Sequence, residues 1–113
     1  MKTDQKMNQF GLRESDLSYI IKALEQFENI DQAIIFGSRA KSNYKNGSDV
    51  DLAIKGNIDF KTLTRLRYLL NEESLMPYQF DIINYTRTHH KALKEHIDRR
   101  GISIYHKDLL VSA

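Results

Sequence analysis

Apolar residues recur along the chain in short blocks whose spacing alternates between helical and extended. The first block follows Ser15, a suitable N-cap, and its members are spaced three or four positions apart, as on one face of a helix. They are Leu17, Ile20, Ile21, Leu24 and Phe27. Residues 1–14 show no period, so we expect a flexible N-terminal segment there and a single domain over residues 15–113.

Two strands are predicted next, separated by turns. Residues 32–36 hold an unbroken apolar run typical of a buried strand, which Gly37-Ser38 ends. Residues 49–55 alternate between apolar and polar positions, so their apolar side chains share one face of a strand and two aspartates share the other. Between the strands we expect a helical turn over residues 39–43 and a tight turn at Asn46-Gly47.

The second half of the chain continues this alternation. Asp59 is placed to cap a second helix rich in leucine, and Pro77 opens a third strand, where a missing donor is tolerated. A third helix follows Thr88 and stops at Gly101, and residues 102–105 form a last short strand.

This order of elements predicts an α+β (α/β) fold, with a small mixed β-sheet and helices packed on one face. The apolar faces of the strands are expected to meet the helices. The acidic faces should therefore look to the other side of the sheet.

Composition excludes several kinds of protein. The chain has 113 residues, of which 41% are hydrophobic and 28% charged, as in ordinary globular domains. It has no cysteine, which rules out disulfides, thiolate metal sites and cysteine nucleophiles. No apolar run approaches the roughly 20 residues that span a bilayer, and no signal segment is evident, so a cytoplasmic location is expected.

The charge is nearly balanced, with 17 basic and 15 acidic residues and a formal net charge of +2. The charges are also interspersed along the sequence. Strong electrostatic binding to nucleic acid is therefore disfavoured, although a local phosphate site is compatible with this pattern.

Three aspartates stand out as candidate chemistry. Asp49 and Asp51 point the same way from one predicted strand, and Asp81 can join them if its strand is a neighbour. Singly, they could cap a turn, be solvated or pair with a lysine. Together they would repel one another when ionised, a repulsion that divalent cations offset. Carboxylates suit Mg²⁺, and two such ions would clamp the oxygens of a phosphoryl transfer.

A turn that suits phosphate precedes these acids. Gly37 ends a buried strand, and Ser38 opens a short helical segment whose free backbone N–H groups face an anion. Arg39 and Lys41 could add positive charge. Taken alone, the same dipeptide would be a tight turn with a serine N-cap.

The spacing of these two features resembles a known signature. Gly37-Ser38, ten intervening residues and Asp49-Val50-Asp51 resemble the motif of the DNA polymerase β-like nucleotidyltransferase superfamily. The small size and the run from Gly37 to Leu52 are similar to its minimal nucleotidyltransferase (MNT) branch. The resemblance covers about residues 30–85 and implies a polymerase β-like nucleotidyltransferase palm.

The resemblance also implies roles for the acids. In that family the paired acids bind both metals, and a third acid on a neighbouring strand completes the site. Asp49, Asp51 and Asp81 would then be the catalytic residues and the ligands of two Mg²⁺ ions. Asp81 would also help to deprotonate the attacking hydroxyl.

The same resemblance implies that Gly37, Ser38 and Arg39 bind the nucleotide by its phosphates. The implied reaction transfers AMP from ATP to an acceptor hydroxyl and releases pyrophosphate. Small members of the family are typically antitoxins encoded beside a helical HEPN ribonuclease toxin, and they are implicated in adding AMP to a tyrosine of it. The short chain leaves little room for an acceptor domain, so we expect the toxin to supply the acceptor.

One alternative is a catalytically idle module of the same fold that neutralises a partner protein by binding alone. Both acids of Asp49-Val50-Asp51, the turn and a third acid are present, so loss of the catalytic residues is not evident. A bare nucleic-acid binder is disfavoured by the balanced charge.

Overall fold

Helices and strands alternate along the chain in the predicted order. The computed structural model describes residues 7–42, 44–45 and 47–107. Its elements are helix α1 (Glu14–Glu25), strand β1 (Ile30–Phe36), a 3₁₀ turn (Gly37–Arg39), strand β2 (Val50–Gly56), helix α2 (Phe60–Tyr68), a π-helical turn (Leu69–Glu73), strand β3 (Phe80–Asn84), helix α3 (Lys91–Arg100) and strand β4 (Ile102–His106). Asn43 and Asn46, which belong to predicted turns, lie outside the described residues.

The four strands form one mixed sheet in the order β3-β2-β1-β4. Strand β1 is antiparallel to β2 and to β4, whereas β2 and β3 are parallel. The parallel pair needs a crossover connection, which α2 and the π-helical turn provide. The predicted mixed sheet is confirmed. Strand β3 begins at Phe80 rather than near Pro77.

The prediction that the helices pack on one face is wrong for α3. The larger core cluster joins residues of α1, α2 and one face of the sheet, with Ile35 and Leu52 among its fully buried side chains. Ile97 of α3 packs on the opposite face, against Ile34 and Ala53. The reason lies in β1, whose unbroken apolar run presents hydrophobic side chains to both faces, so both faces must be covered.

The segment before α1 also contributes to the core. Phe10 and Leu12 are buried in the larger cluster, and Met7 pairs with Arg13 in an isolated antiparallel bridge. Helix α1 begins at Glu14, with Arg13 as its N-cap residue. The absence of a hydrophobic period in residues 1–14 gave no sign of this packing.

None of the helices found within residues 7–42, 44–45 and 47–107 combines the length and apolar character needed to cross a membrane.

Candidate active site

Two of the predicted acids lie side by side in the sheet. Asp51 of β2 and Asp81 of β3 are direct register partners in the parallel pair. Their neighbours Val50 and Phe80, which are also register partners, are buried on the face covered by α1 and α2. Because successive side chains on a strand point to opposite faces, both carboxylates emerge on the other face.

The two acids differ in their exposure. Strand β3 is at the edge of the sheet, and Asp81 is exposed there, whereas Asp51 on the inner strand β2 is partly buried. Asp49 precedes β2 and is exposed. Burial, followed by the negative charges of Asp81 and Asp49, raises the pKa of Asp51 above its usual range. The charges of both other predicted acids therefore reach Asp51 through space.

The Gly37-Ser38 turn meets this group at Asp51. Gly37 has a φ of +76°, in the left-handed region that favours glycine. A Cβ atom at this position would collide with the Asp51 carboxylate. Phe36, the residue before the turn, is the register partner of Asp51 in β1. The structure therefore places the turn against Asp51.

The donor groups suit a hard cation, because they are carboxylate oxygens that repel one another. Within the described part of the chain, however, no three acidic or imidazole side chains are arranged closely enough to hold a metal ion as they stand. The chemistry of the donor set thus fits Mg²⁺, whereas a closed set of ligands would require the exposed carboxylates to move.

Arg39 does not have the surroundings expected of a nucleotide ligand. Its side chain is buried, with a residue exposure of 2%. The guanidinium donates to the backbone carbonyls of Phe10, Gly11 and Ser48. All three of its nitrogens are used in these bonds, so the arrangement gives the predicted phosphate contact no support. Lys41, by contrast, is exposed.

Two side chains that the sequence analysis overlooked hold the edge strand on either side of Asp81. The Asn71 amide accepts from the Phe80 N–H at 2.7 Å and donates to the Phe80 carbonyl at 3.1 Å. Arg67 Nη2 donates to the Ile82 carbonyl at 3.1 Å. Side chains of α2 and the π-helical turn thereby bind three backbone groups on the outer edge of β3, which holds the backbone that carries Asp81.

A groove of about 760 Å³ lies elsewhere, on the side of α2. Phe60 and Tyr68, which are exposed, line it together with Lys61 and Arg65. None of the three aspartates contributes to it. Because its lining residues include none of the predicted acids, the chemistry is better located at the acids than at this groove.

Comparison of the sequence with known families identifies the class of protein. The profile of the family described as "Polymerase beta, Nucleotidyltransferase" matches residues 18–109, which is most of the chain. The chain belongs to this family, and the resemblance seen in the motif is confirmed. No curated protein sequence gives a significant match.

Solved structures with a similar fold come from toxin–antitoxin complexes. A toxin–antitoxin with AMP-PNP matches with a TM-score of 0.67 and 20% identity, over 80% of this chain and 73% of that one. The toxin–antitoxin MntA-HepT matches with a TM-score of 0.62 and 18% identity, over 83% and 73% of the two chains.

A third such structure contains tri-AMPylated Shewanella oneidensis HEPN toxin in complex with MNT antitoxin. It matches with a TM-score of 0.62 and 19% identity, over 86% of this chain and 77% of that one. At these identities the likeness establishes the fold, which is shared with all three.

Proposed function

We propose that the protein is a Mg²⁺-dependent nucleotidyltransferase that moves AMP from ATP to a hydroxyl, most simply a tyrosine, of a helical HEPN-type toxin, and so acts as its antitoxin. One observation carries the proposal: Asp51 and Asp81 are register partners beside the Gly37 turn. Family membership supports the reaction class, and the similar folds in toxin–antitoxin complexes support the partner. ATP as donor is consistent with a cytoplasmic reaction.

Asp49, Asp51 and Asp81 would hold the two Mg²⁺ ions. When bound, these ions supply positive charge against the triphosphate and the leaving group. The three carboxylates would supply oxygen ligands, and the repulsion of Asp51 by the other two in the free protein favours cation binding. Asp51, which is partly buried whereas the other two are exposed, would be the most firmly placed of them.

The remaining tasks fall to this chain's own side chains. The Ser38 hydroxyl and the backbone N–H groups of the turn would donate to the β- and γ-phosphates, and Lys41 would add charge. Asp81 would accept the proton of the acceptor hydroxyl. The acceptor oxygen then bonds to the α-phosphorus, the bond from that phosphorus to the bridging oxygen breaks, and pyrophosphate leaves with the electron pair.

Exposure of the site supports a macromolecular acceptor. Asp81 lies on an edge strand and Asp49 is exposed, so an acceptor side chain carried by a second protein can reach them. In a solved structure of similar fold, an MNT antitoxin is bound to an AMPylated HEPN toxin, which supports a protein as the acceptor.

The direct test is reconstitution with a HEPN-type toxin that the protein binds. We expect incubation of the two purified proteins with ATP and Mg²⁺ to add AMP to the toxin, as read by intact-mass and peptide mass spectrometry. Asp51→Asn should abolish the addition, whereas Glu72→Gln, a change of an exposed acid on the π-helical turn, should not. An unmodified toxin that is nonetheless bound and inhibited by both variants would favour the idle binding module.

A further inference from the structure

We propose that Arg39 is a positioning residue that fixes Asp49 relative to the Gly37-Ser38 turn. This inference rests on the proposed function, because it assigns a purpose to a side chain next to the phosphate-binding turn. Arg39 follows Ser38 directly and closes the 3₁₀ turn. Its side chain leads away from solvent into the protein, where the residue is 2% exposed.

Two of the hydrogen bonds that Arg39 donates converge on one carbonyl group. Its Nη2 and Nε atoms both donate to the Ser48 carbonyl oxygen, at 2.7 Å and 3.2 Å. This carbonyl belongs to the planar peptide unit that joins Ser48 to Asp49. Fixing its orientation therefore fixes the backbone nitrogen of Asp49 and restricts where the carboxylate can point. The turn and the first acid are thus connected through a single side chain.

The third guanidinium nitrogen of Arg39 binds the segment that precedes α1. Nη1 donates to the Phe10 carbonyl at 2.9 Å and approaches the Gly11 carbonyl at 3.3 Å. The guanidinium carbon also lies 5.3 Å from the ring centroid of Tyr44 and 4.8 Å from that of Tyr78. Backbone carbonyls and aromatic faces therefore surround the cation on several sides.

No carboxylate of the described residues forms an ion pair with Arg39. A buried cation without a counterion is a poor way to stabilise a fold, since an apolar side chain of similar volume would avoid the desolvation. The forked, planar geometry of arginine is instead suited to holding one acceptor in a defined direction. Directional control of the Ser48–Asp49 peptide unit is the task that this geometry performs.

Lysine provides the sharpest test, because it retains the charge but cannot make the forked bond. We would compare Arg39→Lys with Ile20→Val, a substitution in the core of α1 that lowers stability without touching the site. Arg39→Gln serves as a second variant, since its neutral amide is easier to bury. All chains would be assayed well below their melting temperatures, with folding checked by circular dichroism.

Two readouts separate positioning from bulk stability. The first is the Mg²⁺ concentration that gives half of the Mg²⁺-induced rise in melting temperature, which we expect to increase about tenfold or more in both Arg39 variants. The second is the rate of AMP transfer to the toxin. We expect kcat to fall about 100-fold, while KM for ATP stays near the wild-type value, because the turn that binds the phosphates is unchanged.

The result for Ile20→Val should be a lower melting temperature with the wild-type Mg²⁺ midpoint and kcat. If the Arg39 variants behave in the same way, Arg39 is merely structural and the proposal is overturned. If KM for ATP rises while kcat is retained, Arg39 acts on the nucleotide, which also overturns it. A wild-type chain that neither responds to Mg²⁺ nor transfers AMP would overturn the proposed function first, and this role with it.

Discussion

Asp51 and Asp81 face each other as register partners across the parallel strands β2 and β3. Adjacent strands lie about 4.8 Å apart, so the two carboxylates are close neighbours on one face of the sheet. Their surroundings differ, because the inner strand buries part of Asp51 and the edge strand leaves Asp81 exposed. This asymmetry suits Asp51 to holding a cation and Asp81 to meeting an incoming hydroxyl.

Replacing Asp51 by asparagine should stabilise the metal-free protein. The substitution removes a charge that burial and two neighbouring acids disfavour, so at pH 7 without Mg²⁺ we expect the melting temperature to rise by about 2–4 °C. Millimolar Mg²⁺ should raise the melting temperature of the wild type but not of Asp51→Asn. Differential scanning fluorimetry measures both effects, with Glu72→Gln as the control. A wild-type melting temperature that is indifferent to Mg²⁺ would contradict the site.

The difference in stability between Asp51→Asn and the wild type should depend on pH. The pKa of Asp51 is raised in the folded state, so the folded protein binds the proton more tightly than the unfolded chain does. This contribution to stability is fully present below the unfolded pKa of about 3.9 and is lost as the pH rises through the folded pKa. The advantage of Asp51→Asn over the wild type should therefore be largest at pH 7 and disappear towards pH 4. An advantage that is constant with pH would exclude the charge as its cause.

Gly37 and Gly47 form a natural pair for testing the contact between the turn and Asp51. Both have positive φ, +76° and +82°, so alanine is strained at either position. A Cβ atom at Gly47 meets open space, whereas one at Gly37 collides with the Asp51 carboxylate. We expect Gly47→Ala to lose about 1 kcal/mol of unfolding free energy and Gly37→Ala clearly more. Urea denaturation measures this, and AMP transfer should fail only in Gly37→Ala.

Asp16 is buried, and we expect its carboxylate to stabilise the folded protein at pH 7. Burial raises its pKa, but hydrogen bonds from Arg13 and from the Tyr78 hydroxyl outweigh this and hold the pKa below its ordinary value. We expect Asp16→Asn to lower the unfolding free energy at pH 7 by about 1–3 kcal/mol. Asp98, an exposed acid that also accepts a hydrogen bond from a tyrosine hydroxyl, is the matched control. Asp98→Asn should change the unfolding free energy by less than about 0.5 kcal/mol.

The loss of unfolding free energy in Asp16→Asn should depend on pH in the opposite sense to the effect of Asp51→Asn. Because its folded pKa is lowered, its stabilising contribution is present above the unfolded pKa of about 3.9 and is lost as the pH falls through the folded pKa. The wild type and Asp16→Asn should therefore converge in stability below pH 4. Persistence of the full difference at pH 3 would show that packing, and not charge, explains it.

The facing of the acids could be predicted from the sequence because apolar neighbours fix it. Val50 and Phe80 have to enter the core, and strict alternation then turns Asp51 and Asp81 the other way. The position of α3 was missed although its signal was present: Ile34, between apolar neighbours in β1, presents an apolar side chain to the second face. A strand that is hydrophobic on both sides needs two covering layers.

The surroundings of Arg39 could not be predicted in the same way. Its acceptors are backbone carbonyls of Phe10, Gly11 and Ser48, and every residue carries such a group, so no residue pattern marks them. The role of the Asn71 amide could not be predicted either, because its partner is the main chain of Phe80. Contacts between a side chain and distant backbone become visible only in three dimensions.

The Asn71 amide should be required to hold the edge strand that carries Asp81. It both accepts from and donates to the backbone of Phe80, so Asn71→Ala leaves two polar groups without their partner, and we expect a loss of about 1–3 kcal/mol in urea denaturation. Asn71→Asp retains the acceptor but places a carboxylate against the Phe80 carbonyl, and it should be no better.

Backbone hydrogen exchange measures the local effect of Asn71→Ala on β3. The amides of residues 80–82 should exchange faster in Asn71→Ala, while those of β4, on the far edge of the sheet, keep their protection relative to global stability. Asn57→Ala, which changes an exposed asparagine after β2, is the matched control and should leave both strands unaffected. If β3 and β4 lose protection equally in Asn71→Ala, the amide stabilises the whole fold and does not specifically position Asp81.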